Sequence, residues 1–248
     1  MRSGKPGTIV IMQPSYLPWV GYFSLVDQAS VFVFLDTVQF EKQSWQQRNR
    51  IRTPKGLEWI TVPVFIKGRF GQLIREVEIN PERFPDKHMK QIRQNYSRAP
   101  YFKTYEEEFF DVLRRASQRF SLSDLNIALI EWISAKLTLS ARFIRSSQLR
   151  AMGKRTELLV QILRELGASD YLSPLGSLEY IRTEYSLFVE NEIDVTFQNY
   201  VHPEYRQTYT PFVPYASVID VLFNEGERSI DVIRSGDMAP LQAKELIK

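Results

Sequence analysis

The chain has no cysteine, which excludes disulfides, thiolate-bound zinc and thiol nucleophiles and fits a reducing compartment. Its 248 residues include only two histidines, His88 and His202, and neither stands in a metal-binding spacing such as His-Glu-x-x-His, so no metal site is expected. The Gly-x-Ser-x-Gly elbow and the Gly-x-Gly-x-x-Gly fingerprint are also missing, which removes support for a serine hydrolase or a dinucleotide oxidoreductase. The N-terminal apolar run is about five residues, against roughly 7 to 15 for a signal-peptide core, and no run approaches the roughly 18 of a membrane span. A cytoplasmic protein without a membrane span is the expectation. Charge of one sign is scarce too: 32 basic residues face 29 acidic ones for a net +3, so the overall field does not argue for nucleic acid. What is plentiful is core material, 44% hydrophobic and 13% aromatic. One α/β domain over residues 1–248 is expected, with 1–7 as an N-terminal segment and 237–248 as a C-terminal tail.

The order of elements starts with Thr8 to Met12, a short apolar run that breaks into Gln13-Pro14-Ser15-Tyr16-Leu17-Pro18-Trp19. A helical pattern from about Pro18 to Ala29 follows, then a second apolar run, Val31 to Leu35, which stops at Asp36. This reads as β-loop-α-β, and a short helical crossover joins neighbouring parallel strands. Gln13, Ser15, Tyr16 and Asp36 then project from the carboxyl rim, where open parallel sheets bind ligands.

From Glu41 to Lys55 the chain carries five basic residues against one acid, and Thr53-Pro54-Lys55-Gly56 is a turn signal between two strand-like runs. The spacing predicts an inserted hairpin with Arg48, Arg50 and Arg52 on one face, about 7 Å apart, and Asn49 and Ile51 on the other. Such a row either keeps an edge strand soluble, grips a diphosphate, or meets nucleic acid. Trp45 and Trp59 suit stacking on a base or sugar ring; Trp59, in a Val/Ile-rich run, equally suits the core. A strand is expected over Leu73 to Ile79, then a helical segment of three helices: from about Pro81 to Ser97, Thr104 to Gln118, and Ser123 to Lys136. His88, beside Lys87, reads as a lone surface histidine.

The second half returns to β/α alternation. Arg142 to Arg145 is a short strand ending at Ser146-Ser147, and Gly153-Lys154-Arg155-Thr156 opens a helix that ends at Gly167. A P-loop is excluded, because Gln148 stands where its first glycine belongs and Arg155 where a magnesium-holding Ser or Thr belongs. A looser anion site of Ser146, Ser147, Lys154 and the helix amides stays open, against ordinary capping by Thr156. A strand over Ile193 to Phe197 delivers Gln198, Tyr200, His202, Tyr205 and Gln207 into a loop rich in hydrogen-bonding groups. His202 is the candidate base. Asp220, inside the apolar run Ser217 to Asn224, needs a partner. Both rim clusters follow parallel strands, so Gln13, Ser15, Tyr16 and Asp36 are expected to face Gln198, Tyr200, His202 and Tyr205 across one cleft. The fold class is therefore α/β: a mostly parallel central sheet flanked by helices, with an inserted β-hairpin and a helical segment.

Several words match a known family. Gln13-Pro14-Ser15-Tyr16-Leu17-Pro18-Trp19-Val20-Gly21-Tyr22-Phe23, Phe34 to Phe40, Ser44-Trp45-Gln46-Gln47-Arg48-Asn49-Arg50-Ile51, Tyr96-Ser97-Arg98-Ala99-Pro100-Tyr101-Phe102 and His202-Pro203-Glu204-Tyr205 through Gly226 resemble, in order, the WbqC-like proteins of bacteria. One departure is Pro174, where the family usually has glycine. The resemblance implies a role in surface-polysaccharide (O-antigen) biosynthesis, transferring glycine or a related acyl group to the amino group of a nucleotide-linked amino sugar. His202 or Asp36 would then take the amine proton, and Gln13, Ser15, Tyr16, Trp19, Trp45, Arg48, Asn49, Arg50, Ser146, Ser147, Lys154, Gln198, Tyr200, Tyr205 and Gln207 would bind substrate. Two alternatives stay open. One is an ATP-dependent ligase forming an acyl-adenylate, since the Gln13 to Gly21 corner is similar to that of nucleotidyltransferases and pantothenate synthetase; Trp19 and Tyr22 stand where that fold's His-x-Gly-His word has its histidines. The other is a non-catalytic carbohydrate- or nucleotide-binding protein. Oligomeric state and acyl donor are left undetermined by the sequence.

Overall fold

The structure, a computed structural model, describes residues 7–82 and 84–247. Its strands in chain order are β1 (Ile9–Met12), β2 (Val31–Phe34), β3 (Arg48–Thr53), β4 (Gly56–Thr61), β5 (Arg142–Arg145), β6 (Asp170–Ser173), β7 (Asp194–Tyr200) and β8 (Asp237–Gln242). Six of them form one sheet in the order β5-β2-β1-β6-β7-β8. All neighbours are parallel except β8, which runs antiparallel to β7. β1 and β2 are adjacent in parallel, with Ile9 opposite Val31 and Met12 opposite Phe34, as the short crossover requires. β3 and β4 form a separate antiparallel hairpin.

The chain builds outward from β1 through β2 to β5 and then returns to the other side of β1 with β6. Strand order thus reverses between β1 and β6, and such a reversal opens a crevice at the carboxyl ends of the strands. Successive residues of the inner strands face opposite cores, because side chains alternate along a strand. Val10, Phe32, Phe34 and Leu172 face a core shared with the helices Val20–Gln28, Asp86–Tyr96, Phe102–Ser117 and Leu122–Lys136. Ile9, Ile11, Val31, Val33 and Tyr171 face a second core with Arg155–Glu165 and the short helices Leu178–Thr183 and Ser186–Glu190. Burial on both faces explains why β1 and β2 read as unbroken apolar runs. The hairpin joins the first core through Ile51 and Ile60.

Several elements differ from expectation. Residues 73–79 form a 3₁₀ turn (Ile74–Glu76) with isolated bridges at Leu73, Glu78 and Ile79, not a strand; the segment crosses between hairpin and helices and has no strand to lie along. The first helix of the insertion starts at Asp86; the expected start at Pro81 runs into Arg83, outside the described residues. β7 continues to Tyr200, so Gln198 and Tyr200 lie in the strand, not in the loop after it. The segment taken for a tail contains β8 and the turn of helix Ala243–Leu246. β8 carries Pro240, which a central strand excludes and an edge strand tolerates. Pro174 fits its place: at φ −63° it opens a 3₁₀ turn closed by Ser177 N–H donating to its carbonyl at 3.0 Å. Among the described residues no helix is long and apolar enough to cross a membrane.

Candidate functional site

At the carboxyl end of β1 the backbone turns sharply into the helix Val20–Gln28, and Leu17 adopts a φ of 43°. That left-handed conformation costs a residue with a side chain about 1 kcal/mol or more. The corner is held from the hairpin: Asn49 Nδ2 donates to the carbonyls of Tyr16 at 3.2 Å and Leu17 at 2.8 Å. Asn126 Nδ2 donates to Pro14 O at 2.9 Å and Gln46 O at 2.7 Å, and Gln46 Nε2 donates to Gln13 Oε1 at 2.8 Å. Tyr16 does not project from the rim. It is buried, and its hydroxyl donates to His88 Nδ1 at 2.8 Å. His88 is buried as well, not on the surface, and its Nε2 lies 3.0 Å from Thr61 O. A carbonyl only accepts, so the His88 proton sits on Nε2 and Nδ1 receives the Tyr16 hydroxyl. Burial lowers the His88 pKa to about 4, with Lys87 adding to the effect and the Thr61 bond opposing it.

Beside this corner lies a cavity of about 240 Å³. The end of β1 and the turn contribute Met12, Ser15 and Pro18, and the helix start contributes Trp19 and Tyr22. Trp45, Asn49 and Arg50 come from the hairpin side, and Tyr215 from a loop far along the chain. The Trp19 ring folds back over its own helix, where a Cβ on Gly21 would stand 2.4 Å from it; only glycine fits there. Trp19 is flanked by Tyr200 at 5.5 Å edge-on, His202 at 5.9 Å stacked and Tyr215 at 5.6 Å. Trp19 thus packs against Tyr200 and His202 of the second cluster, but none of Gln198, Tyr200, His202 and Tyr205 lines the cavity, and of the first cluster only Ser15 does. Tyr215, which lines the cavity, is also in the left-handed region, at φ 66°.

His202 has both ring nitrogens engaged. Nδ1–H donates to Pro203 O at 2.9 Å, and Nε2 accepts from the Tyr215 N–H at 3.0 Å. Burial lowers its pKa, with the Pro203 bond opposing, and its one acceptor position is filled. The ring thus packs Trp19 and fixes Tyr215. Asp36 does not line the cavity. Its carboxylate accepts from Ser146 Oγ at 2.9 Å, Ser147 N–H at 2.9 Å and Ser147 Oγ at 2.7 Å, which clasps the end of β2 to the end of β5. Ser146 and Ser147 are thereby committed to a carboxylate, an unfavourable neighbour for a phosphate. The nearby helix has Lys154, exposed, at its N-cap without a capping bond, and its Thr156 amide faces the Glu184 carboxylate at 3.3 Å. Thr156 Oγ1 is buried without a partner, so it does not cap the helix.

The remaining polar residues of the second cluster brace the walls. Gln198 Nε2 donates to Gly21 O at 2.7 Å and Ser24 Oγ at 2.9 Å. Tyr205 Oη and Gln207 Nε2 donate to Asp220 Oδ2 at 2.7 and 2.8 Å, which gives the buried Asp220 the partners it needs. Burial raises the Asp220 pKa, while the bonds from Tyr205, Gln207 and Tyr96 and the Arg52 charge oppose that rise. Arg52 is buried, unlike Arg48 and Arg50: its guanidinium donates to Gln207 Oε1, to Pro211 O at 2.8 Å and to the carbonyls of Thr53 and Tyr209. The row of three arginines is thus two at the surface and one tying down the 207–211 loop. Trp59 is not core; it is 43% exposed, 5.3 Å from the half-exposed Trp45.

Of the residues singled out in the sequence, Ser15, Trp19, Trp45, Asn49 and Arg50 line the cavity. Met12, Pro18, Tyr22 and Tyr215 were missed. Tyr22 sits in an apolar helical run that reads as core, and Tyr215 has no local signal. Among the described residues no group of three or more His, Cys, Asp or Glu is placed to hold a metal ion.

Comparison with known proteins places the chain. Residues 13–232 match the WbqC-like protein family. The chain is 34% identical over 227 residues to the uncharacterized protein Rv1507c of Mycobacterium tuberculosis (strain ATCC 25618 / H37Rv), covering 91% of this chain and 97% of that protein. No solved structure matches. The chain belongs to the WbqC-like family.

Proposed function

For this WbqC-like protein we propose the transfer of an acyl group, glycine or a relative, to the amine of a nucleotide-linked amino sugar in surface-polysaccharide assembly. The observation that carries the reading is the aromatic cavity at the carboxyl end of β1, bordered by Trp19, Tyr22, Trp45 and Tyr215 with Arg50 alongside. Aromatic faces suit the C–H face of a pyranose, and a few placed polar groups orient it. At about 240 Å³ the cavity is smaller than the roughly 300–1,000 Å³ of sites for drug-sized ligands. It takes one ring and leaves the rest of the ligand outside.

In the reaction the neutral sugar nitrogen attacks the acyl carbonyl carbon. The N–C bond forms, the bond from that carbon to the leaving group breaks, and the amine proton passes to the departing group or to water. A free carboxylate is a poor electrophile, so the donor is an activated acyl group, as thioester, acyl phosphate or acyl adenylate. ATP takes part only where the protein itself makes the adenylate. In this scheme His202 and Asp36 act by positioning: His202 holds Trp19 and Tyr215, and Asp36 holds the rim of β2 against β5.

The test is incubation with candidate nucleotide-amino sugars and, in turn, glycine with and without ATP, a glycyl thioester and a glycyl phosphate, followed by product mass. A gain of one glycyl unit is expected, and AMP release assigns the adenylate route. The filled acceptor on His202 and the fully engaged Asp36 carboxylate favour a second reading, a binding protein without turnover. Tight sugar-nucleotide binding with no mass change under any donor would replace the first reading with the second.

A further inference from the structure

Outside the cavity the hairpin carries a stack of cations and rings. The Arg48 guanidinium lies 4.1 Å from the Trp59 ring centre, and that of Arg50 lies 5.5 Å from both Trp45 and Trp59. Neither arginine has a carboxylate partner among the described residues. The Nε of each is buried and makes no hydrogen bond. Stacking uses the flat face of a guanidinium and leaves its edge N–H groups for bidentate pairing with phosphate oxygens; on Arg50 one of these, Nη2, reaches the Tyr215 carbonyl at a long 3.5 Å. Two unneutralised forks on alternate residues of one strand are about 7 Å apart. Trp45 is 50% exposed and also lines the cavity, so it joins this surface to the ring site.

We propose that Arg48, Arg50, Trp45 and Trp59 form a nucleoside-diphosphate subsite, with the two phosphates on the arginine edges and the base on the open face of Trp45. The inference rests on the preceding reading and deepens it, because it divides the ligand: one ring enters the cavity, and the diphosphate and base lie along the hairpin. Neither Nε–H meets a protein acceptor, and native structures leave few buried donors unpaired. Indole quenching gives a direct readout, as both tryptophans belong to the subsite.

The experiment titrates the full chain with uridine diphosphate, guanosine diphosphate, inorganic pyrophosphate and geranyl diphosphate, following tryptophan fluorescence and heat. The nucleoside diphosphates are expected to bind best, with affinity falling as salt rises. Arg48→Ala and Arg50→Ala should each weaken them about tenfold or more, and Arg48→Lys should recover only part, because an ammonium lacks the planar fork. Trp45→Ala should weaken the nucleoside diphosphates and leave pyrophosphate unchanged. Circular dichroism and a melting curve on each variant separate lost binding from lost fold. Equal binding of pyrophosphate and nucleoside diphosphates, tighter binding of geranyl diphosphate, or normal affinity in Trp45→Ala overturns the subsite. If the subsite fails while an amino-sugar nucleotide is still bound or acylated, the proposed function stands without it; if no nucleotide-linked sugar binds at all, the proposed function falls.

Discussion

Replacing His88 by glutamine removes a titrating group while keeping its two hydrogen bonds. An amide oxygen can accept from Tyr16 Oη and the amide nitrogen can donate to Thr61 O, the roles that Nδ1 and Nε2 fill now. The wild-type ring titrates from an ordinary 6.5 down to about 4 when folded. The sign follows from proton counting. As pH falls through 6.5 the unfolded chain takes up a proton at His88 and the folded chain does not, so the unfolded state gains. The contribution is fully present above about pH 6.5 and is lost as pH drops toward 4. Each pH unit of separation is worth about 1.36 kcal/mol, so the whole effect is on the order of 3 kcal/mol, and about 2 kcal/mol of it disappears between pH 7 and 4.5. Urea unfolding of wild type and His88→Gln at those two values isolates the term, because His202 and the carboxylates titrate alike in both proteins. The wild type should lose about 2 kcal/mol more than the variant. Equal losses would show that His88 is not a buried neutral ring held between Tyr16 and Thr61.

Asp36→Ala should cost on the order of 3 to 5 kcal/mol in stability, since three hydrogen bonds to a buried carboxylate vanish, while Ser146 Oγ keeps only its bonds to the backbone of residues 36 and 37 and to the Thr37 hydroxyl; denaturant midpoints check this, and a stable variant that has lost only activity would return Asp36 to catalysis. Arg52→Leu should speed amide hydrogen exchange in residues 207–215 more than elsewhere, because the guanidinium is bonded to Gln207, Tyr209 and Pro211; unchanged exchange there would mean the loop is held by other contacts.

The parts of the fold that were legible are those where local pattern and tertiary burial agree. β1 and β2 are apolar without interruption because both faces are covered, and Thr53 to Gly56 turns the hairpin where its turn residues say it should. Residues 73–79 mix apolar and charged positions as a strand does, yet Ile74, Val77 and Ile79 are buried from a 3₁₀ turn and isolated bridges, a burial that periodicity cannot tell from pairing. β8 is a strand only by virtue of β7 beside it; its own residues, with Pro240 among them, carry no such signal. In the site, Trp19, Trp45 and Arg50 stood out because aromatic and cationic groups cluster around strand ends. Tyr16, Gln198 and Gln207 carried the same signal, but the structure spends their polar atoms on internal partners. Whether a hydrogen-bonding side chain faces a ligand or a neighbour depends on contacts across the fold, such as Arg52 with Gln207, that adjacent residues do not reveal.

The insertion of residues 35–141 between β2 and β5 sets an order of events during synthesis. β2 leaves the ribosome with β1 already available, but its other neighbour is encoded only after the hairpin and three helices. At 5 to 20 residues per second, β5 follows roughly 5 to 20 s later. For that interval one edge of β2 has no strand to pair with, and a bare apolar edge is a template for pairing with other chains. The helices Asp86–Tyr96, Phe102–Ser117 and Leu122–Lys136 are made within the interval, and they bury the Phe32 and Phe34 face before the edge itself is closed. A nascent chain interrupted before residue 142 would therefore be a half-covered sheet with an open side, so premature termination in this protein is a hazard to its neighbours as well as a loss of product.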